Sequence, residues 1–224
     1  MNFKVLFSNG INFWYNILQM WTIIQKGGFL IWPLIFCSVL ALTVMIERAI
    51  SLSRAQINKK LFMKRLADLI SRNRIMDAVN YCERYHTPLS RVIKAGLLKH
   101  NQTRVHIQSG LEKAIREEIP FLERYLGILA TITSVSPLIG FLGTVSGMIK
   151  VFIQVEKSAG LISPKMLSGG VWEALLTTAF GLAIAIPTLV AYNFFLSRSR
   201  TLVSEIEDAG VELLSSLKGE EYEA

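Results

Sequence analysis

From Ala174 to Leu196 (ALLTTAFGLAIAIPTLVAYNFFL) the only ionisable side chain is Tyr192. An α-helix needs about 20 such residues to cross the hydrocarbon of a bilayer, so this stretch dictates a membrane span. It belongs to a longer apolar segment, from about Met166 to Ser197, and a second such segment runs from about Gly127 to Val155. A third, Phe29 to Ile46 (FLIWPLIFCSVLALTVMI), carries no charge and ends at Glu47 and Arg48. Three crossings follow, and one residue stands out among them. Glu173 opens the charge-free run, roughly 10 Å below a helix end at Met166 at 1.5 Å per residue. An ionised carboxylate inside a membrane costs several kcal/mol or more, so such residues usually face a protein interior or a water-filled path. Glu173 is therefore read as a proton-handling site.

The 224 residues are 51% hydrophobic and 18% charged, which departs from the soluble average in the direction three spans require. A net charge of +7 raises the possibility of nucleic-acid binding, and its distribution answers it. Of 24 Lys and Arg, two precede the first span, sixteen lie in residues 47–126, three in 150–168 and three after Ser197. Positive charge concentrated in one inter-span segment is a topology signal. It places residues 49–125 and the tail in the cytoplasm and the N-terminus and the 156–165 loop outside. The expected surroundings are a lipid bilayer, with no nucleic acid. Cys37 and Cys82 fall in different compartments, which argues against a disulfide. His86, His100 and His106 have no metal-ligand spacing around them and read as solvated surface.

Taken in order, residues 1–26 predict an external amphipathic helix at the interface, with Trp14, Ile17, Leu18, Trp21 and Ile24 on one side. Gly27 and Gly28 allow a bend into the first span, 27–48. Residues 49–125 predict a cytoplasmic run of helices. KKLFMKRLADLI is amphipathic, MDAVNYCERY follows, Thr87-Pro88 starts another helix and Asn101–Thr103 breaks the pattern. A helix from about Thr103 is expected to run into the second span, 126–155, with Pro120 as a bend. The third span, 166–197, is followed by a C-terminal helix over 198–224. The fold class is all-α membrane protein, three transmembrane helices with long cytoplasmic helical extensions.

On the second span Thr133, Pro137, Gly140, Thr144 and Gly147 share one helical face. On the third, Glu173, Thr177, Gly181 and Ala185 step by four, beside a stripe of Ala174, Thr178, Gly181 and Ala185. Small residues bring helices close, and hydroxyls bond across the interface or offer oxygen to water. Packing alone explains such stripes in many inert bundles. Glu173 could also be an interfacial acid, or a neutral one bonded to Thr144 or Thr178. Lys150 reads as an interface anchor rather than a counter-ion for Glu173. The chain lacks Gly-x-Ser-x-Gly, a phosphate loop and paired carboxylates in its spans, so no enzyme chemistry is expected. A small-solute transporter would more often show more helices, broken around a midplane site.

SPLIGFLGTVSGMIKVF (Ser136 to Phe152) and EALLTTAFGLAIAIPTLVAYN (Glu173 to Asn193) resemble the second- and third-span patterns of the ExbB/TolQ/MotA family of proton-channel subunits. The resemblance implies that Glu173 is the pore acid, with Thr144 and Thr178 completing the proton pathway. It makes Pro137, Gly140, Gly143, Gly147, Gly181 and Pro187 helix-shaping positions, in a family domain over about 60–210. Ser146 stands where many relatives carry Trp, and Trp172 where a small residue is usual. Three spans argue against the flagellar MotA branch, and QKGGFLIWPLIFCSVLALTVMIER looks most like ExbB, TolQ next. Further implications are a pentameric ring in the inner membrane, an ExbD- or TolR-like single-span partner carrying a membrane Asp, and a TonB- or TolA-like transducer. No cofactor is implied beyond protons as coupling ion. The work done would be outer-membrane active transport driven by the proton motive force. Alternatives are envelope maintenance, surface motility or a passive scaffold.

Overall fold

A computed structural model describes residues 28–157 and 164–218, so the expected N-terminal helix over 1–26 lies outside the described residues. Among the described residues seven helices follow in order: α1 (Ile31–Ala55), α2 (Lys59–Ser71), α3 (Ile75–Glu83), α4 (Pro88–Leu97), α5 (Arg104–Leu122), α6 (Leu126–Lys157) and α7 (Pro164–Lys218). There is no strand among the described residues. α1, α6 and α7 are long and apolar enough to cross a membrane. The chain divides into two compact units, a membrane unit of residues up to Thr43 with Ile128–Val190, and a polar unit of Val44–Gly127 with Ala191 onward.

In the membrane unit many large apolar side chains point outward, while Ile31, Leu34, Leu129, Ile132 and Val151 are buried. Phe29, Trp32, Phe36 and Val39 of the first span, Leu138, Phe141 and Phe152 of α6, and Leu175, Ile186 and Val190 of α7 are all exposed. In water such a surface would be a liability, whereas in lipid it is what a span requires. The buried stripe is made of small residues instead: Ser136, Gly140, Gly143 and Gly147 on α6, and Ala174, Thr177, Gly181, Ala185 and Thr188 on α7. Lipid tails give apolar side chains no reason to turn inward, so contact between backbones holds the two helices together.

The polar unit is built the other way round. Its core holds Phe62, Leu66 and Ile70 of α2, Ala78 and Cys82 of α3, Val92, Ile93 and Leu97 of α4, Leu111 and Leu122 of α5, and Leu213 of α7. Local signals set the helix ends. The Asn58 side chain accepts from the Leu61 amide at the start of α2. Thr87 and Ser90 form a reciprocal capping box at α4, with Pro88 in the first turn where its missing N–H costs nothing. Arg48 is 1% exposed. Its guanidinium forks onto Glu47 at 2.5 and 2.7 Å and donates to the Phe121 carbonyl at 3.2 Å, one of the carbonyls left open at the end of α5.

One expectation changes here. The helix from Thr103 does not continue into the second span, because α5 stops at Leu122 and Tyr125 takes a left-handed φ of 62° before α6 begins. Pro120 removes one amide from the last turn, and a non-glycine residue at positive φ breaks the ladder outright. Beyond the third span the helix runs on without a break, α7 extending over 55 residues to Lys218.

Candidate functional site: a carboxylate beside the α6–α7 seam

The glycines of α6 fix how it meets α7. A methyl group placed on Gly143 would overlap the Thr177 side chain, one on Gly147 would come within 2.8 Å of the Gly170 carbonyl, and one on Gly140 would stand 3.0 Å from the Thr178 Cα. From the other side, a methyl on Gly181 would lie 2.6 Å from the Ser136 carbonyl. As positions rise on α6 their partners fall on α7, so the helices run antiparallel. Gly140, Gly143, Gly147 and Gly181 are thus all in the seam. Pro137 is half-buried at its edge, and Pro187 is exposed on the far side of α7.

Glu173 sits on one shoulder of this seam with its side chain 20% exposed. Lys150 of α6 reaches across and donates to Glu173 Oε1 at 2.6 Å, so the lysine is a counter-ion and not merely an interface anchor. The physical reason is register. Gly147 packs on Ala174, and Lys150 lies one turn further along α6, within reach of the acid by its flexible stem. Glu173 also rests against Gly28, three residues before α1 begins, where a methyl group would overlap Oε1.

The threonines divide into three roles. Thr178 lies on the opposite shoulder and donates across the seam to the Gly140 carbonyl at 2.9 Å. Thr144, half-buried, donates to the Phe141 carbonyl of its own helix at 2.6 Å. Neither bonds to Glu173. Thr177, 1% exposed, fills the notch left by Gly143 and donates to the Ala174 carbonyl at 2.9 Å. Its place in the seam marks it as a packing residue that spacing alone did not separate from Thr178. With their protons committed to carbonyls, Thr144 and Thr178 present only oxygen lone pairs, fit to accept a hydrogen bond from water. Trp172 is 51% exposed, on the side of α7 away from the seam. Ser146 is half-buried. Among the described residues no group of three His, Cys, Asp or Glu could hold a metal ion.

Chemically, the arrangement offers a single carboxylate beside the seam, partly exposed and charge-balanced by one ammonium. It suits taking up and releasing a cation of one charge, and it offers no nucleophile beside a base.

Comparison with known proteins covers the part of the chain that holds these residues. The family model described as the MotA/TolQ/ExbB proton channel family matches residues 84–208, which include α6, the acid and most of α7. The ExbB-like 3 biopolymer transport protein of Synechocystis is 31% identical over 174 residues, 77% of this chain and 83% of that protein. Biopolymer transport protein ExbB of Neisseria meningitidis serogroup A is 28% identical over 188 residues, covering 78% and 84%. Biopolymer transport protein exbB1 of Vibrio cholerae is 30% identical over 177 residues, 74% of each. A multi-pass chain with three apolar helices, a lone acid at their seam and these relatives belongs to the MotA/TolQ/ExbB proton channel family, and within it is most like ExbB.

Proposed function

We propose that the chain is the channel subunit of a bacterial inner-membrane complex that turns the proton motive force into mechanical work for active transport across the outer membrane. The observation that carries this reading is Glu173, the one acid in the last span, set at the α6–α7 seam with Thr178 on the far shoulder. Relatives named biopolymer transport protein support the kind of work done. The N-terminus faces the periplasm and the C-terminus the cytoplasm, as the positive charge of residues 47–126 requires.

In this reading five copies form a ring around the single membrane helices of an ExbD- or TolR-like partner, and a TonB- or TolA-like protein carries the motion outward. Glu173 takes a proton from the outer side, and an aspartate on the partner's helix passes it inward. Lys150 balances the ionised acid between turnovers. Each protonation changes the charge that the ring presents to the partner helix, which is what allows proton flow to turn one against the other. The test is receptor-driven uptake in cells whose own subunit is deleted. Glu173→Gln should insert and assemble as well as wild type and give no uptake. Undiminished uptake by that variant would overturn the proposal.

A further inference from the structure

Gly28 is not part of either span motif, yet it packs against the acid from outside the α6–α7 pair. Its φ is +70°, a conformation side-chain-bearing residues rarely adopt, and a methyl group at its Cα would overlap Glu173 Oε1 and stand 2.8 Å from the carboxyl carbon. Lys150 holds the same oxygen from α6 at 2.6 Å. Two unrelated requirements, a left-handed backbone and room for a carboxylate, therefore meet at one residue. We infer that the turn of residues 28–30 before α1 forms one wall of the ion site, and that Gly28 is a positioning residue that lets the Glu173 carboxylate lie between that wall and Lys150. This rests on the reading of Glu173 as the proton carrier and extends it, since it makes the start of the first span part of the site.

The consequence is steric. In Gly28→Ala the added methyl and the carboxylate cannot occupy the same place, so Glu173 is driven out of its seat while its charge is unchanged. Glu173→Asp withdraws the carboxylate by one methylene, about 1.5 Å, and makes room for the methyl. Proton flux should fall at least tenfold in Gly28→Ala, and Gly28→Ala/Glu173→Asp should recover at least threefold over Gly28→Ala alone. A residue needed only for the fold would show no such rescue, because shortening an acid does not relieve backbone strain at position 28. Full flux in Gly28→Ala overturns the inference, and so does a double variant no better than Gly28→Ala.

A second measurement needs no flux. The Glu173 Cγ lies 3.4 Å from the position of a Cβ on Gly28, so in Gly28→Cys/Glu173→Cys the sulfur of residue 173 falls near disulfide distance. With Cys37 and Cys82 replaced, mild oxidation of the assembled complex should close this bridge within one chain, read as covalent linkage that survives proteolysis between the two positions. Absence of the bridge overturns the inference whatever becomes of the proton-carrier reading. Loss of flux in Glu173→Gln together with no bridge would sink the wall and leave the carrier.

Discussion

The two units of this chain are held together by opposite means. In the polar unit Phe62, Ile93, Leu97, Leu122 and Leu213 are almost wholly buried, as water drives large side chains inward. In the membrane unit many large side chains are outside, and the contact between α6 and α7 is glycine on threonine and glycine on carbonyl. Without water, close approach of backbones replaces volume, so a single added methyl matters where a whole side chain would matter elsewhere. The seam also bears on the chemistry, because the carbonyl of its Gly140 occupies the proton of Thr178.

Substitutions can break or sharpen this contrast. The largest stability effect belongs to the polar unit, where Leu97→Ala leaves a cavity among α4 and its neighbours and should cost about 3 kcal/mol, measured by denaturant unfolding. The membrane unit should lose about 2 kcal/mol from the opposite change, Gly181→Ala, which forces a methyl against the Ser136 carbonyl. Gly169→Ala is its control, since nothing lies within 4 Å of a methyl there, and it should gain about 0.5 kcal/mol through helix propensity. Equal thermal stability of the two alanine variants in detergent would erase the distinction. Thr178→Val keeps shape and removes the bond to Gly140, at a cost of about 1 kcal/mol and of part of the proton flux.

The smallest effect concerns Cys82. Burial pushes its thiol up to about 12, so at pH 8 it stays protonated. Native protein should therefore leave it unmodified by iodoacetamide, while unfolding in urea exposes it. Rapid native labelling would show that the polar core is looser than its packing.

Much of the site was legible in the sequence because membrane chemistry is sparse. One acid in a charge-free run is conspicuous, and a step of three and four residues puts Gly140, Thr144 and Gly147 on a face without any coordinates. Pairing between helices was not legible. Lys150 meets Glu173 only through the antiparallel register set by Gly143 on Thr177 and Gly147 on Ala174, and no single helix encodes that register. Gly28 was legible as a bend, but not as a neighbour of a residue far along the chain. In the polar unit Thr87-Pro88 announced its helix through local capping, whereas the stop before α6 depended on Tyr125 in a left-handed conformation that its type does not favour.

The central claim is that one carboxylate beside a tight seam carries the ion. Proton flux into vesicles containing this chain and the proposed ExbD- or TolR-like partner, wild type against Glu173→Gln, tests it most directly. Flux that requires the partner and falls at least 100-fold in Glu173→Gln, with the assembled complex intact, is the predicted result. Flux unchanged by the substitution, or none from the wild-type complex, would contradict the claim and leave a passive membrane scaffold.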